Sequence, residues 1–353
     1  MSSRRSVAGL CADILAGAVP DRDDLQTLLE AGDEAPLVYA AAREMRARAT
    51  GDAVFLYGFV YFSTYCRNAC AFCFYRADND ACPRYRKTAD EVVAICRDLA
   101  VSGVVLLDLT MGEDPLLHDD PARLSELVAA VVDATRTPVM VSPGVLPEPV
   151  LRDLRRAGAD WYALYQETHT RELYDRLRVG QPFEERAEAR AAARRAGLLV
   201  EDGLLTGIGD TTADRASSIV AMREAGWEQV RVMTFVPQAG TPLEHVRPAG
   251  DAGELLTIAC LRLAMPERFI PASLDVDGIT GLERRLQAGA NVVTSIVPPT
   301  VGLAGVSQAE LDIDEGYRTV HGVLPHLERL GLRPAGVDEY RARMDSVRSI
   351  AVR

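Results

Sequence analysis

Short apolar runs alternate with longer amphipathic stretches along most of the chain. The first run, 53–62, is apolar and aromatic-rich. A capping box, Thr88-Ala-Asp-Glu91, then opens a helix that reaches about residue 100. Further strands are predicted over 104–109, 138–142, 161–166, 198–206, 229–235, 269–274 and 291–296. The stretches between them predict helices over 121–135, 147–157, 183–196, 212–225, 253–263 and 278–288, with 313–330 closing the last unit. Runs that are apolar throughout, separated by helices, are the mark of parallel strands covered on both faces. Eight such units predict an α/β fold of (β/α)8 TIM-barrel type. Residues 1–52 read as an N-terminal helical extension packing on the barrel. Residues 53–353 read as the barrel with its C-terminal helices, the last over 337–350.

Polar residues interrupt the apolar runs near their C-terminal ends, where barrels of this type build their active sites. Asp108, Gly112 and Glu113 end the second run, Ser142 the third and Glu167 the fourth. Gly207 and Gly209 follow the fifth, and Ser273 and Asp275 close the seventh. Arg231 lies inside the sixth, in Val230-Arg-Val-Met-Thr-Phe235, so its charge is expected to point into or across the barrel. A buried charge needs a partner. Asp108 and Asp275 are the expected ones, and a purely structural ion-pair network is the alternative.

Composition narrows the function classes. Of 353 residues, 48% are hydrophobic and 25% charged, the balance of a globular chain with a large core. A formal charge of −12 would repel nucleic acid. No run approaches the ~18 apolar residues of a membrane span. Arg4 and Arg5 precede an apolar stretch, as in a secretory signal, but Asp13 interrupts it and an amphipathic helix is the reading adopted.

The most informative chemistry is Cys66, Cys70 and Cys73. Three thiolates on one loop can each take one iron of a [4Fe–4S] cube, leaving the fourth iron without a protein ligand, whereas ordinary ferredoxin clusters use four Cys. S-adenosylmethionine (SAM) is the occupant expected at that vacancy, held through its amino and carboxylate groups. The alternative is a three-Cys zinc site completed by a His. The first His in the chain is His118, and zinc knuckles pair their Cys two by two. Cys96 and Cys260 fall on predicted helices as packing residues, and Cys11 and Cys82 have no assigned role. A reduced cluster belongs in a reducing compartment, so a cytoplasmic protein is expected.

The cysteine spacing, with Phe72 before the third Cys, resembles the radical SAM superfamily. The order of motifs is similar to its biotin-synthase-like branch. Longer blocks resemble the methylornithine synthases of pyrrolysine biosynthesis: Phe59-Val-Tyr-Phe-Ser-Thr-Tyr-Cys-Arg-Asn68, Asp108-Leu-Thr-Met-Gly-Glu-Asp-Pro115, Leu164-Tyr-Gln-Glu-Thr168, Leu177-Arg-Val-Gly-Gln181, Val200-Glu-Asp-Gly203, Arg231-Val-Met-Thr-Phe235, Ile270-Pro-Ala-Ser-Leu-Asp275 and Asn291-Val-Val-Thr-Ser295. The stretch between Tyr75 and Arg84 shows no such pattern.

The resemblance implies a [4Fe–4S] cluster and SAM as cofactors, and conversion of L-lysine to (3R)-3-methyl-D-ornithine by radical fragmentation and recombination. A related enzyme acting on another amino acid or amine is the alternative. It implies a reducing electron donor such as a flavodoxin or ferredoxin. It places Met111, Gly112 and Glu113 at the methionine amino group, Glu167 at the ribose hydroxyls and Arg186 at the methionyl carboxylate, with Arg178 the competing candidate and Ser142 also at the cofactor. For lysine, Arg231 is expected at the α-carboxylate, Asp275 with Ser273 at the α-amino group and Asp108 at the ε-ammonium. A radical site must be dry, and an N-terminal segment capping the barrel is expected to close it.

Overall fold

Strand β1 (Ala53–Ser63) is buried at every position, as its apolar run requires. In the computed structural model, which describes residues 5–299, 301–306 and 317–350, seven more barrel strands follow: β2 (Leu106–Met111), β3 (Val139–Ser142), β4 (Trp161–Ala163), β5 (Leu199–Thr206), β6 (Gln229–Thr234), β7 (Pro271–Ser273) and β8 (Val292–Ile296). They pair in parallel in the order β6-β5-β4-β3-β2-β1-β8-β7. A single bridge between Gln229 and Phe269 joins β6 to the residues before β7 and nearly closes the (β/α)8 barrel. A two-residue strand, β9 (Arg333–Pro334), pairs with the start of β1.

Helices α1 (Val7–Leu15), α2 (Arg22–Leu29) and α3 (Ala35–Thr50) precede the barrel. The outer ring consists of α4 (Ala89–Ser102), α5 (Pro115–Asp119), α6 (Ala122–Thr135), α7 (Glu148–Ala157), α8 (Arg171–Leu177), α9 (Phe183–Arg195), α10 (Thr212–Ala225), α11 (Ala252–Ala264), α12 (Leu282–Gln287) and α13 (Val320–Arg329), and α14 (Val337–Ile350) comes last. Capping follows the sequence: Thr88 and Glu91 form the box at α4, and Thr211 with Asp214 repeats it at α10. The helix predicted over 278–288 begins as a 3-10 turn, Gly278–Gly281. Residues 313–316 of the predicted closing helix lie outside the described residues.

The lower barrel is sealed by aromatic packing. Phe55, Trp161, Phe269 and Tyr340 from α14 meet edge-on or tilted, with Phe55 and Phe269 centroids 5.1 Å apart. The Tyr57 hydroxyl satisfies itself on Gln229 Oε1 and the Tyr340 hydroxyl, both at 3.0 Å. Open space is therefore left at the C-terminal strand ends.

The N-terminal helices do not cap that end. They pack on the outside, α3 against α11 and α2 against α10 and α11, and no residue of 5–52 lines the cavity described below. Their apolar faces required burial, and packing on α10 and α11 provides it, leaving α11 buried from Leu256 to Ala264. The mouth is covered instead by the loop after β1. Tyr75 donates to the Gly305 carbonyl at 2.6 Å, the Tyr85 hydroxyl accepts from Ala304 N–H at 3.0 Å, and Asn79 donates to the Ala239 carbonyl at 2.9 Å.

Candidate active site

The loop after β1 is held to the barrel by a buried carboxylate. Asp114 accepts from Ser63 Oγ at 2.5 Å and from both Arg86 Nε and Nη2 at 2.7 Å, and caps α5 through Leu116 N–H at 3.0 Å. Burial works against its charge, but Arg86 and Ser63 keep its pKa below the usual range. Gly112 lets the two loops touch: a Cβ there would come within 2.5 Å of the Tyr65 carbonyl and 2.7 Å of Cys66 Cβ.

Cys66, Cys70 and Cys73 thereby face one cavity of about 200 Å³ at the C-terminal strand ends. Among the described residues no three His, Cys, Asp or Glu side chains gather as ligands of a single metal ion. A cube instead takes each thiolate on a separate iron. N–H donors surround the sulfurs: Gln181 Nε2 lies 3.0 Å and Arg178 Nη1 3.5 Å from Cys70 Sγ, and Asn68 N lies 3.5 Å from Cys66 Sγ. Burial raises the Cys66 and Cys73 thiols above their ordinary pKa, so bound metal must compensate thiolate charge there. Three thiols, donors and an adjoining cavity fit a cluster with one open iron.

The residues expected at SAM all line this cavity: Met111, Gly112, Glu113, Ser142, Glu167 and Arg186, with Arg178 beside them. Glu113 accepts from Val145 N–H at 3.0 Å and Arg67 Nε at 3.1 Å. Despite burial, those contacts and Arg186 hold its pKa low. Glu167 has φ +68°, unusual for a residue with a Cβ. Such a conformation costs on the order of 1–3 kcal/mol and persists only where its surroundings impose it. Here Glu167 N–H donates to the Gly203 carbonyl and its carbonyl accepts from Leu205 N–H, so the backbone is pinned on β5 while the side chain faces the cavity. Strand β4 itself stops at Ala163, short of the expected 166, and pairing with β5 resumes only at the bridge between Glu167 and Leu204.

The two arginines differ in their anions. Arg178 pairs with Glu167 Oε1 at 2.5 Å, whereas Arg186 comes no nearer than 4.0 Å to Glu113 and otherwise bonds the Tyr165 carbonyl and Gln181 Oε1. Burial and the neighbouring Arg178 push Arg186 down to about 10. Arg186 is thus a buried cation with a poorly compensated charge.

The cavity floor carries Asp108 and Arg231, with Thr110, Tyr165, Met233, Thr294 and Ser295 around them. Arg231 finds its main partner on the adjacent strand: Nε donates to Glu201 Oε1 at 2.7 Å, and its guanidinium lies 5.2 Å from the Tyr165 ring centroid. Tyr165 in turn donates to Glu201 Oε2 at 3.0 Å. The direct ion pair expected with Asp108 or Asp275 is thus made by Glu201, while Asp108 acts on Arg231 without touching it. Asp275 pairs instead with Arg318 Nη1 at 3.0 Å, and both are fully buried. Asp275 and Ser273 do not line the cavity, although Ser273 Oγ lies 3.4 Å from Ser295 Oγ, which does.

Asp108 accepts from Thr110 Oγ1 at 3.0 Å. Burial, then the like charge of Glu201, raise its pKa to about 7, against the opposing pull of Arg231 and Thr110. Sequence reasoning left Glu201, Tyr165 and Gln181 without roles, although all three fall inside motifs that it singled out.

The radical SAM superfamily model matches residues 60–220. The 3-methylornithine synthase of Methanosarcina barkeri is 45% identical over 322 residues, which span 91% of this chain and 92% of that protein. The [FeFe] hydrogenase maturase subunit HydE of Thermotoga maritima is 30% identical over 72% of this chain and 74% of its own length. A crystal structure of methylornithine synthase superposes with a TM-score of 0.90 at 44% identity, over 95% of this chain and 99% of that one.

Proposed function

The chain belongs to the 3-methylornithine synthase family of radical SAM enzymes, which use a [4Fe–4S] cluster and SAM, and we propose that it converts L-lysine to (3R)-3-methyl-D-ornithine by hydrogen abstraction, fragmentation and recombination. When bound, the cofactors supply an electron and a 5′-deoxyadenosyl radical that takes hydrogen from the substrate.

The observation that carries the lysine reading is the charge on the cavity floor. Asp108 and Arg231 line the floor, and Glu201, fully buried against Arg231, adds a second negative charge, so this ionised group of three is one charge negative. Lysine, with one carboxylate and two ammonium groups, is one charge positive. The raised pKa of Asp108 is what uncompensated negative charge in a buried site produces. Arg231, oriented by Glu201 and Tyr165, holds the α-carboxylate, and Asp108 takes the ε-ammonium. Ser273 serves the α-amino group through Ser295, and Asp275, anchored on Arg318, donates its backbone N–H to the Ser273 hydroxyl. At the other wall Arg186 meets the methionyl carboxylate with its unspent charge. Glu167 keeps its second oxygen for the ribose hydroxyls, and the turn at Met111, Gly112 and Glu113 receives the methionine amino group.

Apolar side chains dry the space between these charges: Phe59, Leu205, Phe235 and Val306 line it. A flavodoxin- or ferredoxin-type protein supplies the electron, and the cytoplasm is the proposed compartment. The seven free cysteines suit that setting. Among the described residues no helix is long and apolar enough to cross a membrane. Anaerobic incubation with side-chain-deuterated lysine tests the reading. Deuterium should appear in 5′-deoxyadenosine, and its absence during active SAM cleavage would contradict lysine as the hydrogen donor.

A further inference from the structure

The segment running from Leu177 to Gln181 clamps the cluster loop in a way that the roles above leave unused. The Leu177 carbonyl accepts from Ala71 N–H at 2.8 Å. The chain then reverses in a turn closed by Gln181 N–H on the Arg178 carbonyl at 3.0 Å. Gly180 occupies the third position of that turn at φ +74°, where a type II geometry calls for glycine. The reversal delivers two side-chain donors to one sulfur: Gln181 Nε2 at 3.0 Å and Arg178 Nη1 at 3.5 Å from Cys70. The other end of the Gln181 amide, Oε1, accepts from Arg186 Nη1 at 3.3 Å.

Chemistry fixes which way this amide points. A guanidinium only donates hydrogen bonds, and a metal-ligating cysteine is a thiolate that accepts them. A flipped amide would set donor against donor at Arg186 and oxygen against sulfur at Cys70. Gln181 is therefore a two-ended link between a cluster ligand and the arginine proposed for the SAM carboxylate.

We infer that Gln181 is a positioning residue that tunes the reduction potential of the cluster through its N–H···S bond to Cys70, and that it transmits SAM binding at Arg186 to that bond. Hydrogen bonds to cluster sulfurs are among the determinants of cluster potential. Reduction adds negative charge, which an aimed N–H stabilises, so the bond raises the potential and eases electron acceptance. The inference rests on the radical SAM reading, which cluster loading of the unaltered protein tests separately.

The test compares Gln181→Glu and Gln181→Leu after anaerobic reconstitution. The Glu variant keeps size and the acceptor toward Arg186 but loses the N–H, while the Leu variant loses both ends. Iron and sulfide content report loading, and an EPR-monitored redox titration with and without SAM reports the potential. Both variants should load as the unaltered protein does, with reduction by a given donor about tenfold less favourable, ~59 mV for one electron. The change of potential on adding SAM should shrink in the Leu variant. Potentials equal to that of the unaltered protein in a loaded variant would overturn the inference. So would loss of the cluster from both variants, which would make Gln181 an assembly residue. Failure of the unaltered protein to load would instead count against the family reading itself.

Discussion

Replacing Asp108 by Asn should remove lysine turnover and yet make the protein more stable in alkaline buffer. Asn is isosteric and keeps an acceptor for Thr110 Oγ1, 3.0 Å away in the native site. What it removes is a buried charge. A carboxyl raised from 3.8 to about 7 has its ionised form disfavoured in the folded protein by about 4 kcal/mol, at 1.36 kcal/mol for each pH unit.

The folded pKa lies above the unfolded one, so the contribution of Asp108 to stability is fully present below about 4. It declines as pH rises and is lost once pH passes about 7. At pH 5 the variant should gain only about a third of the full difference, and at pH 8 up to about 4 kcal/mol. Thermal unfolding of the reconstituted, substrate-free proteins at pH 5, 6.5 and 8 under anaerobic conditions reads this as a gap in Tm that widens with pH. The gap should reach several degrees, on the order of 2 °C per kcal/mol. SAM cleavage without product should persist in the variant. In the native enzyme kcat/KM for lysine should rise with pH through about 7 as Asp108 ionises. A Tm gap that is constant with pH, or a variant less stable at pH 8, would refute the assignment of Asp108 as the strained charge of the site.

Three further substitutions separate the remaining roles. Cys70→Ala should abolish the visible absorbance of the reconstituted cluster and lower iron content, and unchanged iron would remove Cys70 from the ligand set. Arg186→Ala should weaken SAM binding at least tenfold, measured by equilibrium dialysis, with the cluster intact. Unchanged binding would transfer the carboxylate to Arg178. Glu201→Gln removes one buried negative charge, the like charge that opposes ionisation of Asp108. It should raise KM for lysine about tenfold or more and move the pH limb near 7 to lower pH, while a limb that stays in place would count against the coupling.

The strands were legible because their apolar character is nearly complete, as in β1, where burial is uninterrupted. The polar residues at their ends were legible for the same reason, as charges that an apolar run does not otherwise tolerate. Pairings between them were not. Arg231 finds Glu201 because the register of β5 on β6 sets Gly203 opposite Arg231 and Glu201 opposite Gln229, a relation that neither strand encodes alone. Arg318 reaches Asp275 from 43 residues away, outside any local pattern. Helix α5 could have been found: Asp114 followed by Pro115 is an N-cap with proline at the first position. The position of α1–α3 was not available either, because an amphipathic face says that a helix is covered and not by what.

The central claim is that this cavity rearranges the carbon skeleton of lysine. Mass spectrometry after anaerobic incubation with uniformly 13C-labelled L-lysine, SAM and reductant tests it most directly. The product should retain every labelled carbon and the mass of lysine, and coelute with (3R)-3-methyl-D-ornithine rather than with lysine. Recovery of unchanged lysine beside 5′-deoxyadenosine, or faster turnover of an uncharged amino acid, would contradict the account.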